Sequence, residues 1–131
     1  MLTTLKNRKG LTLIELIAVL VILGIIAAIA VPTIGNTINN QKQRAAEAEW
    51  SAIQSAAELY SFQNSDDTAI SMDDLFDNDY ISENVALTED EEGSTAIDSS
   101  DTLFTVSGSD ISVDSGYTSI YIDGFQVYPE S

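Results

Sequence analysis

The sequence predicts an α+β fold: one long N-terminal α-helix followed by a small antiparallel β-meander. Three observations carry that expectation. Residues 11–34 form a 24-residue apolar run interrupted by a single charge, Glu15. Helical periodicity then continues to about residue 62. Short alternating segments, punctuated by glycine and aspartate, fill the last third of the chain.

Charge is segregated along the same direction. The 131 residues carry 21 Asp and Glu against 5 Lys and Arg, a net charge of −16. The bases are Lys6, Arg8, Lys9, Lys42 and Arg44, and Glu15 is the only acid before Glu47. A basic tip, an apolar rod and an acidic body result. Such a body repels nucleic acid and anionic lipid surfaces. The chain has no cysteine, so no disulfide staples it. With no histidine either, Ser-His and Cys-His catalysis and the usual zinc sites are excluded.

At about 1.5 Å per residue the apolar run spans roughly 36 Å, enough for a bilayer core of about 30 Å. Lys6, Arg8 and Lys9 precede it, which puts the N-terminus in the cytoplasm and the acidic body outside. A plain membrane anchor explains length and orientation. It leaves Glu15 without a reason, at a cost of a few kcal/mol in hydrocarbon, unless the side chain snorkels from its place near the start of the run. A cleaved secretory signal finds a small-x-small site at Ala28-Ile29-Ala30, with a mature start at Val31. Its apolar core would exceed the usual length of about 7–15 residues and would contain an acid.

A third reading starts from Lys9-Gly10 followed by "LTLIEL". Over residues 8–36 the sequence resembles the type IV pilin and pseudopilin family. The resemblance implies that a membrane prepilin peptidase removes the leader, residues 1–10, by cutting after Gly10 on the cytoplasmic side. Leu11 then becomes a methylated N-terminus, at a position where the family usually has phenylalanine. Glu15 becomes the fifth mature residue, and Gly24 and Pro32 match positions common in the family. The freed α-amino group of Leu11 would pair with Glu15 of a neighbouring subunit in a low-dielectric setting. The implied fold is pilin-like: a filament-core helix over 11–34, an amphipathic continuation over 35–62 and an acidic head over 63–131. Pro32 lacks an amide hydrogen and Gly24 weakens the helix, so a kink is expected in a lone subunit. In assembled filaments of this family the stretch between the two is often unwound.

Beyond Pro32, the residues Ile34, Ile38, Ala45, Ala52, Ala56 and Leu59 fall near one helical face, with Arg44, Glu47 and Glu58 on the other. Trp50 lies off this stripe; its size assigns it to the core, against the alternative of a subunit contact. In the acidic body, Ser71 followed by Asp74 predicts an N-cap and a short helix over residues 72–77. Residues 88–101 read as an acidic loop. Strands are predicted at 102–107, 111–113, 117–122 and 125–128, the last two joined by an Asp123-Gly124 hairpin turn.

The acids Glu89, Asp90, Glu91, Glu92, Asp98 and Asp101 offer oxygen ligands for calcium, which some family members hold in a loop of the head. No Asp-x-Asp-x-Asp-Gly spacing is present, and an acidic run is ordinarily a solvated surface. No cofactor is therefore expected, and these six remain the calcium candidates. No pair of carboxylates has a context that suggests general acid–base work. The expected function is structural and non-enzymatic. The subunit would polymerise through its helix into an extracellular type IV pilus for adhesion, motility or surface contact. An inner-membrane assembly platform and a separate ATPase would drive it, the bilayer would hold the single-pass precursor, and nucleic acid would not be a partner. The alternatives are a pseudopilin of a type II secretion or DNA-uptake apparatus, and a monomeric surface binding module anchored by its helix. Only the filament readings use both Gly10 and Glu15.

Overall fold

The structure, a computed structural model, describes residues 12–129. Its elements in chain order are α1 (Leu13–Gln63), β1 (Ala69–Ser71), α2 (Met72–Asp77), β2 (Thr102–Ser107), β3 (Asp110–Val113), β4 (Ile120–Ile122) and β5 (Phe125–Tyr128). The chain divides into two compact units, Met1–Asn40 and Gln41–Ser131. The α+β architecture expected from sequence is the one observed.

In the second unit, α1 buries Ala46, Trp50, Ile53, Ala56, Ala57 and Tyr60. This corrects the predicted stripe: Ala45 and Ala52 are exposed, and Leu59 is 57% exposed. The observed spacing 46-50-53-57-60 is a proper helical face, turned by about one residue, or roughly 100°, from the expected one. Ile34 and Ile38 lie among Thr33, Asn36, Thr37 and Asn39 and are both exposed, so they do not mark the face that the second unit buries. Trp50 marks it instead. Its indole stacks on Phe104 at 5.6 Å between ring centres and meets Tyr128 at 6.4 Å. Its assignment to the core holds, with 2% of its surface exposed.

The end of α1 is closed by its own side chains. Asn64 donates from its backbone and from Nδ2 to the carbonyl of Tyr60, at 2.9 and 3.2 Å. The Tyr60 hydroxyl donates to Asp67 at 2.9 Å, which turns the chain back toward β1. α2 forms as its sequence predicts. Ser71 and Asp74 make a reciprocal capping box, the Asp74 amide donating to Ser71 Oγ and the Ser71 amide to Asp74 Oδ2.

The strands depart from a single meander. β1, absent from the sequence expectation, pairs antiparallel with β2, and β2 with β3, giving a three-stranded sheet ordered β1-β2-β3. β4 and β5 form a separate two-stranded sheet. Three residues are too few for alternation to show in sequence, so only the partner β2 reveals β1. Residues 117–119 do not join β4. After β3 the Asp114 carboxylate accepts from the Gly116 amide at 2.9 Å, and the Asp114 carbonyl from Tyr117, which redirects the chain. The other edge of β4 is then taken by Thr88, which exchanges two backbone hydrogen bonds with Tyr121 at 3.1 and 2.8 Å. The β4–β5 turn follows expectation: Asp123 and Gly124 both have positive φ, 51° and 82°. A Cβ at Gly124 would also stand 3.1 Å from the Glu91 carbonyl, so a larger residue would be strained by its φ and crowded by that carbonyl.

All buried hydrophobic residues among those described lie at Ala46 or later. A fragment beginning at Gln41 is therefore expected to unfold cooperatively in urea. Trp50→Ala is expected to lower its stability by about 3–5 kcal/mol through the cavity left against Phe104. A non-cooperative wild-type transition would show that the second unit does not fold by itself.

Candidate functional site

The first unit presents an unpartnered apolar surface. From Leu13 to Ile34 its large aliphatic side chains are between 47% and 76% exposed. α1 is long and apolar enough here to cross a membrane, and none of the most apolar window is buried. Glu15 is the single charge between Leu13 and Asn40. It lies in the first turn of α1, its amide donating to the Thr12 carbonyl at 3.1 Å. The positive end of the helix dipole favours a carboxylate at this position by about 0.3–1 kcal/mol. That contribution is far smaller than the cost of burying an unpaired charge. The position accounts for an acid in the first turn of the helix and for only a small part of the cost of burying it. Gly10 and Leu11, assigned to leader cleavage and methylation, lie outside the described residues.

Gly24 and Pro32 both sit within the helix, which runs unbroken through them. Pro32 cannot donate to the Ala28 carbonyl, one turn back. The next turn is reinforced by side chains: Thr33 Oγ1 donates to the Ile29 carbonyl at 3.0 Å, and Thr37 Oγ1 to the Thr33 carbonyl at 2.9 Å. These threonines are absent from the sequence expectation, although their type carries the signal, since a threonine hydroxyl can bond one turn back. A Cβ at Gly24 would meet no heavy atom within 4 Å among the described residues, apart from its own helix backbone.

The six acids named as calcium candidates are not drawn into one cage. Among the described residues no group of three or more such side chains could hold a metal ion. Asp90 is engaged otherwise. Its carboxylate accepts the Ser94 amide at 2.8 Å, Ser94 Oγ at 3.0 Å and the Thr95 amide at 2.8 Å. Thr88 Oγ1 donates to its carbonyl at 2.9 Å. Hydrogen bonds from Thr95 and Ser94 hold the carboxyl down to about 2. Asp98 likewise accepts the Ser100 amide and hydroxyl, which lowers its pKa. The segment read as an acidic loop is thus ordered locally around two of its carboxylates, Asp90 and Asp98.

Comparison with known proteins bears on the N-terminal helix. The family model described as the prokaryotic N-terminal methylation motif matches residues 5–31, a span that includes Gly10, Leu11, Glu15 and Gly24. Over 59 residues, 45% of the chain, the sequence is 37% identical to the type II secretion system core protein G of Pseudomonas aeruginosa. The match spans 42% of that protein's length. No solved structure matches.

The Asp90 geometry makes a pH-dependent prediction. The carboxyl is lowered from 3.8 to about 2 in the folded chain. Its contribution to stability is complete above the unfolded value and is lost as pH falls through the folded value. Unfolding midpoints measured across that window should fall for the wild type more steeply than for Asp90→Ala. Parallel curves would remove Asp90 from its organising role.

Proposed function

We propose that this chain, which belongs with the type IV pilins and pseudopilins, is a filament subunit that polymerises through α1. The observation that carries the reading is Glu15, alone in an exposed apolar helix five residues after Gly10. A peptidase cut after Gly10 would supply the missing cation as the α-amino group of Leu11. Pairing between copies removes two unpaired charges from hydrocarbon at once, and the cost of leaving either alone is several kcal/mol. The pair therefore both permits association and fixes its register. The work is structural. The partners are other copies of the chain, a prepilin peptidase, and the membrane platform and ATPase that extract the subunit. The precursor is held in the membrane by the first half of α1 with its basic leader in the cytoplasm.

Two kinds of filament use this helix. Similarity to a type II secretion protein of Pseudomonas aeruginosa favours the short fibre of a secretion apparatus over a long pilus serving adhesion or motility. The acidic composition of the second unit fits either, since each places it outside the cytoplasm. Long fibres released by shearing would decide for the pilus, and fibres retained at the cell for the pseudopilus.

Mass spectrometry of the native N-terminus is expected to find Leu11, N-methylated. A start at Met1 or Val31 would overturn the reading. Glu15→Ala should still be inserted and cleaved, yet yield at least about tenfold less pelletable filament per processed subunit, as expected for an uncompensated buried cation. Glu15→Gln should behave similarly and Glu15→Asp should be intermediate. Wild-type yield from the alanine variant would remove the charge pair from the mechanism.

A further inference from the structure

Lys42 and Arg44 are the only bases beyond the leader segment, against 20 acids from Glu47 onward. Both are exposed, and neither forms an ion pair among the described residues. The reason is local. Positions three and four residues after Lys42 are Ala45 and Ala46. Glu47, three residues after Arg44, accepts instead from Gln43 Nε2 at 3.1 Å. Glu49 lies five residues after Arg44, which turns it about 140° around the helix and out of reach.

On the second unit a groove of about 310 Å³ opens between α1 and the segment after α2. Its floor is apolar, from Ala52, Ile53, Tyr80 and Val85, and its rim carries Glu49 and Glu83. A smaller hollow of about 200 Å³ continues it, sharing Glu49, Glu83 and Val85 and adding Asp123. Three carboxylates from three separate elements thus line one trough, Glu49 and Glu83 along its larger, apolar part and Asp123 in its smaller, polar end, and no base lines either part. Such a trough fits one side-chain chemistry best: an apolar stem ending in a planar cation. Arginine lays its methylenes on an apolar floor, stacks its guanidinium on an aromatic face and forks toward carboxylates.

We infer that this groove receives Arg44 of a second copy of the chain. The inference deepens the filament reading and rests on it. Charge complementarity selects the occupant, because the same α1 segment that leaves Arg44 unpaired carries the acid that rims the groove. The geometry is heterologous: one patch of each copy meets a different patch of the next, which builds an open filament wherever the rotation between copies does not close a ring. Five helical residues separate Arg44 from Glu49, a slide of about 7.5 Å between neighbouring copies. The proposed pairing of Leu11 with Glu15 runs in the same sense over four residues in sequence. Both pairings therefore favour displacement of the neighbour in one direction and by nearly one step. Glu15 fixes that step within the apolar segment, and Arg44 within the acidic unit.

The test uses the full chain in its own membrane and reads pelletable filament per processed subunit. Arg44→Glu and Glu83→Arg are each expected to lower the yield by about tenfold or more, and the double swap to restore most of it. Asp110→Lys, a control on β3 away from the groove, should leave the yield unchanged. The chain has no cysteine, so copies bearing Arg44→Cys mixed with copies bearing Glu83→Cys should cross-link specifically. Cross-linking decides the matter even where Glu83→Arg fails to fold. Wild-type yield from Arg44→Glu, with Glu15→Ala still defective, would overturn the groove assignment and leave the filament reading standing. No fibre from any chain, wild type included, and no cross-link between the two cysteine variants would overturn both.

Discussion

One α-helix in this protein has to satisfy two surroundings, and that constraint organises everything else. From Leu13 to Val31 its surface is apolar and open, apart from Glu15. From Ala46 a single face is buried under a small acidic unit. Among the described residues the first stretch buries none of its large apolar side chains. That stretch draws no stability from burial within the described residues, while the second is stabilised by its own core. The segregation of charge follows: a carboxylate is costly where the helix is all apolar and nearly free where it faces water.

An acidic unit with two bases cannot be held by ion pairs. Its carboxylates act instead as acceptors for backbone amides and hydroxyls. Asp74 caps α2, Asp90 gathers Ser94 and Thr95, Asp98 holds Ser100, Asp114 turns the chain at Gly116, and Asp67 receives the Tyr60 hydroxyl. Each bond is local in sequence, so the acids that make the surface negative also fix its turns. The Tyr60 contact carries an electrostatic signature. Its bond to Asp67, together with burial, pushes the phenol up to about 12. The folded form thereby loses a contribution only in strong alkali, between the ordinary tyrosine value and the raised one.

The charged residues proposed for assembly lie apart from the side chains that form the core of the second unit. The core of the second unit centres on Trp50, Phe104 and the aliphatic side chains around them. The residues proposed for contact between copies, Glu15 and Arg44, are exposed and contribute little to that core. Changes at these positions should therefore affect polymer yield without unfolding the subunit, and this separation is what makes the proposals testable.

Sequence by itself determined what depends on near neighbours. The long helix, the capping box of Ser71 and Asp74, and the Asp123-Gly124 hairpin all arise from interactions within a few residues. The apolar span and the segment around Gly10 and Glu15 are likewise readable from order alone, and the N-terminal methylation motif matches this same segment. Tertiary structure decided what depends on distant partners. It set the buried face of α1, because only contact with the strands tells Ala46, Ile53 and Tyr60 from Ala45, Ala52 and Leu59 as the inward residues. It created β1 against β2, divided the strands into two sheets by placing Thr88 on β4, and gathered Glu49, Glu83 and Asp123 around one trough. These features join residues from about 30 to more than 70 positions apart. Helical period and turn chemistry act over only a few residues, so they contain no record of such pairings.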